Sequence, residues 1–234
     1  MAKLIAKASG GGDRPLAPTG IQQAVLYSVI DLGTQKVEYK GVTKLQRKIN
    51  VGWELPKASR IEYEDEKGKH SRPQCIFKRY TLSLYKESAL AKDLAGWRGQ
   101  GFTKKEEAGF NIFNMLTPGV NALLNIVHYT NGSGETKAKY ESIAKMADGL
   151  GFINTAAENP IVLYTTDMGD NFPENMPPWA IEAIKQSPEY NRVVSGVANA
   201  CGSQSLNEAQ QSLGVEDTTD YGNPEEMDNI HEFY

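Results

Sequence analysis

Two stretches of this chain interleave cations with rings or amides in a way that suits contact with a polyanion. Lys44, Gln46 and Lys48 recur at every second position, and Phe77-Lys78-Arg79-Tyr80 sets a cation and a ring on each side of an extended segment. Lys78 and Tyr80 then share one side of the chain, Phe77 and Arg79 the other, so both pairs cannot serve one surface. Lys78 and Tyr80 are taken as the candidates. Tyr27, Tyr39 and Tyr63 neighbour polar positions and are candidate stacking rings, while Arg72, Lys137 and Lys139 lie beside hairpin signals, where binding groups often sit. Cations that track phosphates, with rings that stack on bases of any identity, are what binding of single-stranded nucleic acid requires. For any one of these residues, a solvated charge or a packed ring is the competing reading. Trp53, Trp97, Phe102 and Phe110 are assigned to the core.

Signals for catalysis are sparse. His70, His128 and His231 have no metal-ligand spacing with one another or with Cys75 and Cys201. Gly10-Gly11-Gly12 lacks both the preceding strand and the following lysine of a phosphate loop, and no serine elbow or dinucleotide fingerprint occurs. Glu64-Asp65-Glu66 sits in a polar run, and Glu106-Glu107 open a helix, where the helix dipole alone accounts for them. The expectation is therefore a protein that is not an enzyme and that holds no metal or cofactor. Two cysteines in unlike contexts fit free thiols of the cytoplasm better than a disulfide framework.

The formal net charge of −4 argues against a polyanion partner until it is divided along the chain. Residues 1–150 hold 23 Lys and Arg against 15 Asp and Glu, a surplus of +8, whereas 151–234 hold 2 against 14, or −12. A basic body thus carries an acidic end. From Cys201 onward there is no Lys or Arg, and Glu225, Glu226, Asp228 and Glu232 lead into Phe233 and Tyr234. Such a stretch can dock on a partner protein or compete with nucleic acid for the chain's own basic groove.

The elements that must position these groups follow from periodicity. Gln23 to Leu32 is apolar and β-branched. Lys44 to Leu55 alternates, with Leu45, Ile49, Val51, Trp53 and Leu55 on one face and Lys44, Gln46, Lys48, Asn50 and Glu54 on the other. Glu62 to Arg72 is polar and reads as a hairpin loop before a third strand from Gln74 to Tyr85. Ser88 caps a helix to Trp97, Thr103 and Glu106 form a capping box, and Asn131-Gly132-Ser133-Gly134 turns a hairpin between strands at 122–129 and 136–144. Ile161 to Tyr164 and a helix from Trp179 to Gln186 complete the ordered part. This predicts a mainly β protein with helical inserts: an OB-fold, a five-stranded Greek-key barrel with a helix between its third and fourth strands. A strand-rich sandwich with inserted helices is the alternative. The expected organisation is a flexible N-terminal arm (1–20), a single-stranded DNA-binding domain (21–194) and a disordered acidic tail (195–234).

Several segments in order resemble a group of small phage and prophage proteins described as single-stranded DNA-binding proteins. They are Val29-Ile-Asp-Leu-Gly-Thr-Gln35, Lys48-Ile-Asn-Val-Gly-Trp-Glu-Leu55, Tyr80-Thr-Leu-Ser-Leu84, Lys92-Asp-Leu-Ala-Gly-Trp-Arg-Gly99, Phe102-Thr103, Leu123-Leu-Asn-Ile-Val-His128, Asn159-Pro160, Pro178-Trp179 and Gln186-Ser-Pro-Glu-Tyr190. The resemblance implies an OB-fold that coats single-stranded DNA, without strong sequence preference, in phage replication or recombination. It also implies an acidic tail that recruits replication or recombination proteins. It transfers no individual DNA-contacting residue. No membrane partner is expected, and self-association is left open. The rival functions are a protein-interaction or architectural module and, less favoured, a metal-dependent nuclease.

Overall fold

The computed structural model describes residues 15–39, 41–65, 68–146 and 156–196. Most of the expected arm and nearly all of the acidic tail, including Glu225, Glu226, Asp228, Glu232, Phe233 and Tyr234, lie outside these residues.

The chain opens with β1 (Gly20–Tyr39), a long strand that turns directly into β2 (Val42–Leu55). A small ribbon follows, β3 (Ile61–Asp65) paired with β4 (Gly68–Arg72), and then β5 (Gln74–Thr81). Helices α1 (Ala89–Arg98) and α2 (Lys104–Ala108) separate β5 from β6 (Asn121–Thr130) and β7 (Thr136–Ala144). The C-terminal part contains β8 (Val162–Tyr164), α3 (Pro178–Lys185) and α4 (Pro188–Val194). Five strands form an open antiparallel sheet in the order β5-β2-β1-β6-β7, and β8 adds a parallel pairing to β1. The protein is mainly β with helical inserts.

Local chemistry accounts for the boundaries. The Ser88 hydroxyl accepts from the amide of Ala91 to start α1, and Gly99, with φ +76°, ends it in the left-handed conformation. Thr103 and Glu106 cap α2 reciprocally. Leu90, Leu94 and Trp97 fall on one face of α1 and pack on the inner face of the sheet against Val51, Trp53, Leu124 and Ile143, with the Trp53 and Trp97 rings edge to face at 5.5 Å. These aromatics are core, as their spacing predicts.

Three readings change. The polar stretch 62–72 is a two-stranded ribbon of its own, since Tyr63 pairs with His70 and Ile61 with Arg72. The third strand stops at Thr81, not Tyr85. Residues 188–194 form α4, which begins where Ser187 accepts from the Tyr190 amide and Pro188 takes the first turn.

The largest difference concerns the polar face of β2. Lys48 and Asn50 are each only 4% exposed and Glu54 is 0% exposed, although alternation places them away from the core. The cause is a second apolar cluster on the outer face. A bulge in β1 at Tyr27 exchanges the residues that face in and out, so that Ile30 and Leu32 turn outward and pack with Val162, Tyr164, Met176, Ala180, Ile184 and Tyr190 of the C-terminal part; a second bulge follows at Leu32. Gly33, at φ +67°, completes the second bulge, and a Cβ there would lie 2.5 Å from the Ser187 side chain. The Thr34 amide and hydroxyl both donate to Glu189, at 2.9 and 2.6 Å, and Gln35 donates to the Ala183 carbonyl at 2.9 Å. Glu54 accepts from the amides of Glu158 and Asn159 and from the Asn159 side chain. Buried polar groups of β1 and β2 thus clip the 156–196 segment to the sheet.

Candidate nucleic-acid interface

Register sorts the expected residues by face. Lys78 lies opposite Val51 and Tyr80 opposite Ile49, so both point inward. Tyr80 is 3% exposed and its hydroxyl donates to Asp93 at 2.7 Å, while Lys78 pairs with the same carboxylate oxygen at 2.7 Å. Burial and the neighbouring Tyr140 and Asp93 push the Tyr80 hydroxyl well above its ordinary range. Neither side chain meets solvent on the outer face, which corrects their assignment as contact residues. A strand's alternation defines two faces without saying which is outside. Ile76, on the parity of Lys78 and Tyr80, was the available clue. The residues facing out are Phe77 and Arg79, opposite Gly52 and Asn50. Tyr27 is also corrected: it is buried at a bulge of β1 and meets Phe77 edge to face, with ring centroids 6.0 Å apart.

Lys48 is on the outer face but beneath its surface. Its ammonium donates to Gln46 Oε1 at 2.6 Å and to Thr81 Oγ1 at 2.8 Å. Burial, with repulsion from Arg79 second, lowers its pKa to about 8. Burial likewise lowers that of Arg79, to about 10, and its guanidinium lies 5.1 Å from the centre of the Trp179 ring. Lys44 is half-buried where β1 and β2 run on past β5, and Tyr39 closes β1 at the edge of the described residues.

The remaining candidates, Tyr63 exposed and Arg72, Lys137 and Lys139 half-buried, gather on two hairpins at one end of the sheet. β3–β4 continues from the end of β2 and the start of β5. β6–β7 turns beyond Ile126, which pairs with Gly20 at the start of β1. On the first hairpin Tyr63, His70 and Arg72 share a face by register: Tyr63 is 46% exposed and stacks on His70 at 5.3 Å, and the Arg72 guanidinium lies 5.4 Å from the Tyr63 centroid. On the second, Lys139 sits 5.0 Å from the Tyr129 centroid and Lys137 lies 3.8 Å from Glu135. Below this end residues 15–17 are held down: Pro15 accepts from the Gln74 side chain, and Ala17 is buried and accepts from His128 Nε2 at 2.7 Å.

A cleft of about 670 Å³ lies between the β1–β2 floor and 107–113. Its one lining cation, Arg47, is already paired with Asp31 at 2.6 Å, and Glu107 and Asp167 line it as well, so it offers nothing to an anion. Among the described residues no group of three or more His, Cys, Asp or Glu is placed to hold a metal ion, and no helix is long and apolar enough to cross a membrane. The Cys75 thiol is pushed up to about 11, chiefly by burial.

No protein-family model, no curated protein and no solved structure matches this chain. The site therefore stands on its own geometry.

Proposed function

We propose that this chain is a cytoplasmic OB-fold protein that coats single-stranded DNA without strong sequence preference in phage replication or recombination, and that its acidic C-terminal stretch recruits partner proteins. The observation that carries the reading is the Tyr63, His70 and Arg72 cluster, two rings and a guanidinium on one side of a polar ribbon. Rings so presented accept the flat face of any base, and the guanidinium adds charge for the backbone. The Tyr129–Lys139 pair repeats the pattern on the hairpin beside it. Support for the fold reading comes from strand order. β5-β2-β1-β6-β7 becomes the ring of an OB barrel if its end strands are brought together, and side chains of β5 and β7 meet at Tyr80 and Tyr140 with α1 packed against both strands.

Fluorescence anisotropy with labelled oligo-dT, a mixed-sequence single strand and the matching duplex tests the function. Similar affinity for the two single strands, falling with salt and exceeding that for duplex, is expected. Equal binding of duplex, or none of any at low salt, would overturn it. A protein-interaction module is the second reading, favoured by Leu163 of β8 at 38% exposure and Ile161 just before it at 57%.

A further inference from the structure

On the outer face of the sheet, Lys48, Asn50 and Arg79 form a small group that no acid balances. Lys48 and Asn50 are two positions apart on β2, Asn50 lies opposite Arg79 on β5, and Lys48 lies opposite Thr81. Lys48 and Arg79 are therefore diagonal neighbours, roughly 7–8 Å apart along such a pair. Among the described residues neither forms an ion pair with a carboxylate, in contrast to Arg47, Arg60, Lys78 and Arg98, each of which has one. The ammonium of Lys48 has three protons and two acceptors, Gln46 and Thr81. Asn50 is 4% exposed and its Nδ2 donates to nothing, and the buried Nε of Arg79 donates to nothing either. Three unspent donors on two strands, two of them cationic, are a costly arrangement unless an acceptor completes it.

We infer that Lys48, Asn50 and Arg79 bind one phosphate group, a phosphodiester of the single strand, with Trp179 as the wall of the site. The chemistry selects phosphate over a carboxylate. A tetrahedral oxyanion has enough oxygens to reach an ammonium, an amide N–H and a guanidinium at once, and its spread of oxygens suits donors set diagonally on a sheet. The Arg79 guanidinium lies over the Trp179 ring, 5.1 Å from its centre, so the indole borders the group on that side. The inference rests on the proposed function for the source of the phosphate, and the site itself stands on the donors.

The test compares wild type with Arg79→Met and Lys48→Met, measuring oligo-dT affinity across a salt series and melting temperature with and without inorganic phosphate. Each substitution is expected to weaken oligo-dT binding about tenfold and to reduce the salt slope by about one. The unliganded variants should melt no lower than wild type, since a buried uncompensated charge has been removed. If wild type binds oligo-dT and both variants match it in affinity and slope, the site is overturned and the proposed function survives. If wild type ignores oligo-dT but is stabilised by phosphate while the variants are not, the diester assignment falls with the proposed function and the phosphate site remains. Variants that melt lower, in a protein that responds to neither probe, make the cations structural and overturn the inference outright.

Discussion

The hydroxyls of Tyr80 and Tyr140 meet at 2.8 Å, across two strands, β5 and β7, that stand at opposite ends of the sheet order and share no backbone ladder. Side chains perform there what backbone pairing does elsewhere. Asp93 of α1 accepts from Tyr80 and from Lys78, and the Lys78 ammonium lies 4.9 Å from the centre of the Tyr140 ring, so one carboxylate ties the helix to the join.

That join should fail in a graded way. Tyr140→Phe removes one hydrogen bond while Tyr80 keeps Asp93, and should cost about 1 kcal/mol. Asp93→Ala strands Lys78 as well, and should cost about 3 kcal/mol or more. Urea denaturation of both variants checks the order. Equal losses would mean that Asp93 does not hold the two partners together.

Lys48 predicts an unusual dependence on pH. Its folded pKa of about 8 lies below the ordinary 10.5, so the unfolded chain binds more protons between those values and stability should rise with pH there. The buried phenols of Tyr80 and Tyr140 act oppositely: their folded pKa values are raised, so stability is lost as the unfolded phenols ionise above about pH 10. The buried Cys75 thiol, raised to about 11, also counts against stability above about pH 9, so the melting temperature should climb from pH 8 to 9 in wild type and climb less in Lys48→Met.

Gly33→Ala should detach the C-terminal part from the sheet. The position has φ +67° and no room beside Ser187, and the left-handed conformation alone costs a residue with a Cβ about 1–2 kcal/mol. Limited proteolysis should cut within 156–196 sooner than in wild type. An unchanged cleavage pattern would show that the bulge does not hold α4.

The hairpin cluster separates stacking from charge. Tyr63→Ala should cost about 1–3 kcal/mol of oligo-dT binding with little change in salt slope, Tyr63→Phe should cost much less, and Arg72→Ala should lower the slope. Anisotropy titrations at several salt concentrations distinguish the three.

Most of the inner architecture was legible because it obeys short-range rules. Ile49, Val51, Trp53 and Leu55 alternate as a half-buried strand must, and the 131–134 turn announces the β6–β7 hairpin. The outer face was not legible. Lys48, Asn50 and Glu54 look like a solvent face in their own strand, and what buries that side arrives a hundred residues later, where Glu158 and Asn159 donate to Glu54. The choice of Lys78 and Tyr80 over Phe77 and Arg79 failed because Lys78 finds Asp93 inside, a partner that no local pattern reveals. Ser187-Pro188 is a readable start signal for α4, although Glu189, Asn191 and Arg192 leave the segment little apolar periodicity.

The pairing of β1 with β8, where Ser28 meets Val162 and Ile30 meets Tyr164, bears on how the chain is made. β1 leaves the ribosome first among the described strands but cannot bury Ile30 and Leu32 until α3 and α4 have followed it, some 150 residues later. A nascent chain carrying only residues up to the β6–β7 hairpin would hold a nearly complete sheet with a bare apolar strip along its centre. Ribosome-bound intermediates of that length are where chaperone binding or aggregation should concentrate.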